Sequence, residues 1–248
     1  MKRFEDKAVL VTGAGSGIGR ATAVRLASEG ASVACLDVNE DNVNETAKSI
    51  GGDNVMALTC DISDEAQVNE AVAKVVERFG KLDALCNVAG ILRADHTHEL
   101  KTEAWNKIIG INLTGTFFMC RAALPHLLER KGSAIVNCSS TAGIGAHPWM
   151  AAYSASKGGM IAMSRSMAIE YAKQGLRVNC VCPGGVVTPL HGQFRMPKGS
   201  DGTLLKRALP IAEYGQPEQI ASAIAFLASD DAGYTNGEEI RIDGGALA

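Results

Sequence analysis

The sequence has no surplus of charge of one sign. Its 24 Lys and Arg stand against 27 Asp and Glu, a formal net charge of −3, and the basic residues are scattered singly. A chain so balanced lacks the basic face that displaces counterions from a phosphate backbone, so nucleic acid is not an expected partner. Long hydrophobic runs are missing too. None approaches the ~18 apolar residues of a membrane span, and the first apolar stretch, Ala8 to Val11, is too short for a signal sequence. The expected protein is soluble and cytoplasmic, with no membrane partner. Paired cysteines are also lacking. The seven, at 35, 60, 86, 120, 138, 180 and 182, are odd in number and form no CxxC. Most lie in apolar, strand-like runs, as buried thiols of a reducing compartment do. Cys180 with Cys182, and His96 with His98, have no second ligand pair at zinc spacing, so no metal is expected.

What is present is an even alternation. Apolar residues make up 46% of the 248 and charged residues 21%, enough for a large core and too little charge for a disordered chain. Candidate strands at Ala8–Val11, Ser32–Leu36, Val55–Cys60, Leu82–Cys86, Ser133–Cys138, Arg177–Val181 and Glu238–Ile242 alternate with helical periods. The latter fall near 18–29, 39–50, 64–79, 102–129, 152–173 and 217–229. Seven strands joined by helical crossovers predict an α/β fold, a parallel sheet covered on both faces. No repeat or linker interrupts it, so residues 1–248 read as a single doubly wound domain. One segment breaks the rhythm. Residues 189–215 hold three prolines, four glycines and the apolar Leu190, Phe194, Met196, Leu204 and Leu205, a composition suited to a substrate lid or a plain surface loop.

Thr12-Gly-Ala-Gly-Ser-Gly-Ile-Gly19 follows the first strand and opens a helix. Glycine at Gly13, Gly17 and Gly19 allows a tight turn and lets an anion approach the helix N-terminus, beside Ser16 and Ile18. Asp37 ends the second strand 18 residues after Gly19, near the ~20 expected of an acid that holds an adenosine ribose. Its carboxylate accepts from ribose hydroxyls and repels a 2′-phosphate, which favours NAD over NADP, although Arg20 is close enough in sequence to reach a phosphate.

Of four tyrosines, only Tyr153 has a lysine four residues on, Lys157. On a helix the two share a face, ~6 Å apart along the axis. An ammonium beside a phenol is expected to lower the phenol's ordinary value of ~10 by roughly 1 to 3 units, making Tyr153 an acid/base near neutrality. Ser139 and Ser140 end the fifth strand, where ligand-facing residues belong. Asn112 lies on the apolar stripe Trp105, Ile108, Ile109, Leu113, so its amide is expected to be buried, either as a satisfied core residue or as a relay holding water near the lysine.

In this order the pieces TGAGSGIG, Asp37, Asp61, NVAG (87–90), Asn112, Ser140, YSASK (153–157) and PGGVVT (183–188) resemble the short-chain dehydrogenase/reductase family in its compact, single-domain, Rossmann-type form. The likeness spans nearly the whole chain. It implies hydride exchange between a nicotinamide and a small-molecule secondary alcohol or ketone. Tyr153 would exchange the proton, Lys157 hold the nicotinamide ribose, Ser140 orient the substrate and Asn112 support a proton relay. Gly13, Ser16, Gly17, Ile18, Gly19, Asp37, Asn87, Ala89, Gly90, Pro183 and Gly184 would line the cofactor, Asp61 would touch the adenine, and Val186 and Thr188 the carboxamide. The usual family pattern is NNAG; Val88 replaces its second Asn, at the expected cost of one hydrogen bond. Members of this form are usually homotetramers. The C-terminal stretch resembles bacterial 3-oxoacyl-carrier-protein reductases and sugar or steroid dehydrogenases alike, so it does not select a substrate. A catalytically idle NAD-binding sensor or scaffold is the rival reading, and the intact Ser140, Tyr153 and Lys157 set argues against it.

Overall fold

The computed structural model describes residues 2–211 and 213–248, without the side chain of Arg207. The continuous apolar runs form strands buried on both faces. In chain order the elements are β1 (Ala8–Thr12), α1 (Gly17–Ser28), β2 (Ser32–Asp37), α2 (Glu40–Ile50), β3 (Val55–Thr59), α3 (Glu65–Phe79) and β4 (Ala84–Asn87). The second half adds α4 (Thr102–Ile109), α5 (Thr116–Leu128), β5 (Ala134–Cys138), α6 (Ala151–Glu170), β6 (Arg177–Pro183), α7 (Pro189–Gly192), α8 (Pro217–Ala228) and β7 (Glu239–Ile242). The strands make one seven-stranded parallel sheet in the order β3-β2-β1-β4-β5-β6-β7, the Rossmann-type arrangement expected from the sequence.

Alternation along each strand feeds two apolar layers. Val9, Val11, Val33, Cys35 and Val136 face α1 and α8, while Leu10, Ala34, Leu36, Leu85 and Ile135 face α3 and α5. All seven cysteines are free and buried. The chain order reverses direction between β1 and β4, and a parallel sheet opens a crevice at the carboxyl ends of its strands at that point.

Three expectations are revised here. The helix anticipated over 102–129 is not continuous: residues Gly110–Gly115 form a π-helical turn between α4 and α5, with Asn112 and Gly115 buried in it. Such widened turns are rare and concentrate at functional sites. The Thr102–Leu128 stretch is also long and apolar enough to cross a membrane by length and composition alone, although polar residues interrupt its apolar run. In this fold Met119, Cys120, Ala123 and Leu127 on α5 are fully buried in the apolar layer shared with α3 and the sheet. The 189–215 segment is not simple loop either; it carries α7 and a 3-10 turn at Gly202–Arg207.

Candidate active site

A cleft of about 890 Å³ runs along the strand ends, within the range typical of small-molecule sites. At one end it meets the N-terminus of α1. Asn39 caps α2 and Asp64 caps α3 through their side chains, but Ser16 makes no such bond at α1, leaving the first N–H groups of that helix for an anion. Gly13 (φ +67°) and Gly17 (φ +50°) line the approach; a Cβ would lie 2.8 Å from the Ala89 backbone at the first and 3.1 Å from Thr188 Cγ2 at the second. Both positions therefore favour glycine for conformation, and Gly13 for space as well. A narrow channel with free N–H donors fits the pyrophosphate of a dinucleotide.

Asp37 borders the same cleft and is half-buried. Its two carboxylate oxygens accept from Gly15 N and Asn39 N, each at 2.9 Å. Arg20, close enough in sequence to reach a phosphate, is engaged elsewhere: it donates to the Gly15 carbonyl at 2.7 and 3.1 Å and to Glu45 at 3.0 Å. Asp61 also borders the cleft, its Oδ1 accepting from the backbone N and the hydroxyl of Ser63 at 2.9 and 2.7 Å. Ser16, Ile18, Gly19, Ala89, Gly90, Pro183, Gly184, Val186 and Thr188 all line the wall. Asn87 does not. Strand alternation turns its side chain to the layer beneath, where Nδ2 donates to Asn137 Oδ1 at 2.9 Å and to Cys120 Sγ at 3.4 Å. Val88 keeps a backbone bond, donating to Thr12 Oγ1 at 3.0 Å, and packs its side chain on the core.

At the other end stand Ser140, Tyr153 and Lys157. Tyr153 is 9% exposed, and it lines the cleft with Ser140. The Lys157 ammonium lies 5.8 Å from the Tyr153 ring centroid and donates to the Cys138 carbonyl at 2.6 Å. The expected priming of the phenol is not what this arrangement gives. Burial pushes the Tyr153 phenol above its ordinary value, the Ser140 hydroxyl only partly opposing it, and burial pushes Lys157 down. Desolvation penalises both charged forms at once, so the lysine is a weaker primer than spacing along a helix suggests.

Asn112 is fully buried behind this group rather than on the cleft wall. Its Oδ1 accepts from Ile91 N at 2.8 Å, and its Nδ2 donates to Ile91 O at 2.9 Å and to Ser156 Oγ at 3.1 Å. Ser156 Oγ in turn donates to the Tyr153 carbonyl at 2.7 Å, while Ser139 Oγ donates to the Lys157 carbonyl at 2.9 Å. The π-helical turn thus carries an amide that ties the loop after β4 to the turn of α6 that bears Tyr153 and Ser156. Sequence reasoning missed two members of this scaffold. Thr12 Oγ1 accepts from Val88 N and Ala89 N at 3.0 and 3.2 Å, joining β1 to the β4 loop; a hydroxyl ending a buried strand is its only signal. Ser156, one residue before Lys157 and three after Tyr153, shows itself by that spacing. Among the described residues no three His, Cys, Asp or Glu come together as a metal site.

The family described as enoyl-(acyl carrier protein) reductase matches residues 13–246. The chain belongs to the short-chain dehydrogenase/reductase family. It is 39% identical over 247 residues to a 3-oxoacyl-[acyl-carrier-protein] reductase of Thermotoga maritima, covering 99% of each chain. It is 40% identical over 246 residues to a D-threitol dehydrogenase of Mycolicibacterium smegmatis, covering 98% of this chain and 94% of that one. A 3-ketoacyl-(acyl-carrier-protein) reductase from Brucella melitensis, solved complexed with NADH, superposes with a TM-score of 0.90 at 33% identity, covering 98% and 99% of the two chains. The chain is therefore a family oxidoreductase acting on CH–OH and C=O groups, with a nicotinamide-dinucleotide-binding Rossmann fold.

Proposed function

We propose that this protein interconverts a secondary alcohol and a ketone with NAD(H), Tyr153 moving the proton. The observation that carries the reading is the convergence of the Ser140 hydroxyl, the Tyr153 phenol and the Lys157 ammonium on one cleft, the same cleft onto which the uncapped α1 opens. When bound, NADH supplies the hydride that reduces the carbonyl carbon and is left as NAD⁺. Tyr153 then gives its phenolic proton to the carbonyl oxygen, and takes it back in alcohol oxidation. Ser140 holds that oxygen against the phenol. Its own Oγ is fixed by accepting from Ala142 N at 3.1 Å. Lys157, anchored through one proton to the Cys138 carbonyl, has two protons left for the nicotinamide ribose.

Asp37 with its adjacent Gly15 supports NAD over NADP, because a 2′-phosphate would meet a carboxylate and because Arg20 is committed to Gly15 and Glu45. Gly13, Gly17 and Gly19 would admit the pyrophosphate, Asp61 the adenine, and Val186 and Thr188 the carboxamide. An idle NAD sensor would need only this half of the cleft, so the catalytic trio supports the enzyme.

The test is Tyr153→Phe. Removing the hydroxyl takes away the transferable proton and leaves the nucleotide contacts in place. Turnover of secondary alcohols is expected to fall by at least ~10²-fold, with NADH affinity nearly unchanged by fluorescence titration. A variant that keeps most of its rate removes Tyr153 from the chemistry; tight NADH binding by the wild type without turnover of any alcohol or ketone favours the sensor.

A further inference from the structure

Past Ser140 and Tyr153 the cleft carries apolar side chains from three separate parts of the chain, beside the polar His191, Gln193 and Tyr214. Leu92 lies beyond β4, Met150 just before α6, and Phe194 in the 189–215 segment. Leu92 and Phe194 pack against a buried cluster of Ala142, Met150 and Tyr153, and Met196 and Leu205 extend the wall. His147 also borders the cleft. Burial holds its imidazole below the ordinary value, and Nε2 lies 3.3 Å from Thr141 Oγ1, so near neutral pH it presents an uncharged ring. Among the described side chains the cations bordering the cleft are Lys157, already engaged, and Lys107, which is exposed on α4. The carboxylates, Asp37 and Asp61, sit on the β2–β3 side with the glycine turn.

The geometry points to an uncharged substrate: a ketone or secondary alcohol whose apolar arm lies against Leu92, Met150 and Phe194. This rests on the oxidoreductase reading and narrows it. An alkyl arm of this kind loses contact with water and gains contact with carbon, which is favourable in proportion to the area covered. A carboxylate, phosphate or sulfonate in the same place would be stripped of water with no buried cation to meet it. Hydroxyls of a polyol laid against Leu92, Met150 and Phe194 would find no partner in those side chains.

The experiment compares three ketones with NADH and purified protein: 2-octanone, 7-oxooctanoate, which has a carboxylate in place of the terminal methyl of the same methyl-ketone chain, and erythrulose as the polyol. The specificity constant for 2-octanone is expected to exceed both others by at least ~tenfold. Phe194→Ala, and the milder Phe194→Leu as a second variant, are expected to lower the 2-octanone to 2-butanone ratio of kcat/KM. For alanine the drop is about tenfold, mostly through KM, with NADH affinity by fluorescence unchanged to show that the fold is intact. A preference for 7-oxooctanoate or erythrulose overturns the substrate class while leaving the oxidoreductase reading standing. NADH binding with no turnover of any of the ketones overturns both.

Discussion

Replacing Asn112 by alanine removes three hydrogen bonds at a single stroke. Two of them are to Ile91, whose N–H and C=O pair with the Asn112 amide at 2.8 and 2.9 Å; the third, at 3.1 Å, goes to Ser156 Oγ. The backbone groups of Ile91 lose their partners in a half-buried loop, where each orphaned group costs ~1 kcal/mol at the low end of the usual range, so the variant is expected to lose about 2 kcal/mol. For a chain of this size that is roughly 4–8 °C in Tm. Thermal unfolding followed by circular dichroism reads the loss directly. Asn112→Asp separates the terms: its carboxylate still accepts from Ile91 N but cannot donate to Ile91 O or Ser156 Oγ, so it should be destabilised and also lose turnover as the anchor on α6 slackens. If Asn112→Ala melts within 1 °C of the wild type, the π-helical turn is not what holds the β4 loop to α6, and the reasoning fails.

Asp37→Ala should weaken NADH and strengthen NADPH, changing their relative affinity by about tenfold or more, as read by fluorescence titration; an unchanged preference would move specificity to another residue. The raised Tyr153 value keeps the phenol protonated through neutrality, so ketone reduction should be flat with pH there and fall only in the alkaline range, whereas alcohol oxidation, which needs the phenolate, should rise with pH. Reduction that declines near pH 7 would contradict the burial effect. At the N-terminus, Arg3 donates to both oxygens of the buried Glu29 carboxylate, at 2.6 and 2.9 Å, and Arg25 joins them. The bonds from Arg3, chiefly, hold Glu29 at about 2 against an ordinary 4.5. A depressed acid stabilises the fold above its unfolded value and stops doing so as pH falls through the folded one. Glu29→Gln should therefore cost stability at neutral pH, and the gap in Tm from the wild type should close as pH drops from about 4.5 towards 2.

The seven strands, the glycine turn and the position of Asp37 were legible in the sequence because each depends on local chemistry: continuous apolar runs, positive φ, a carboxylate at a strand end. Asn112 was legible as buried but not as a clamp. Its partners, Ile91 and Ser156, are 21 and 44 residues away, and the π-helical turn that aims it has no compositional mark of its own. Asn87 shows the complementary limit: a motif sets it beside the cofactor, while the pleat of β4 sends its side chain to Asn137. The sign of the Tyr153 shift could not be read either, since helical spacing measures how near the lysine is and says nothing of how dry both groups are. Where two charges share one buried site, desolvation acts on each before they act on one another. A sequence pattern that pairs an acid with a base therefore fixes which atoms meet, and the burial around them decides which protonation state they meet in.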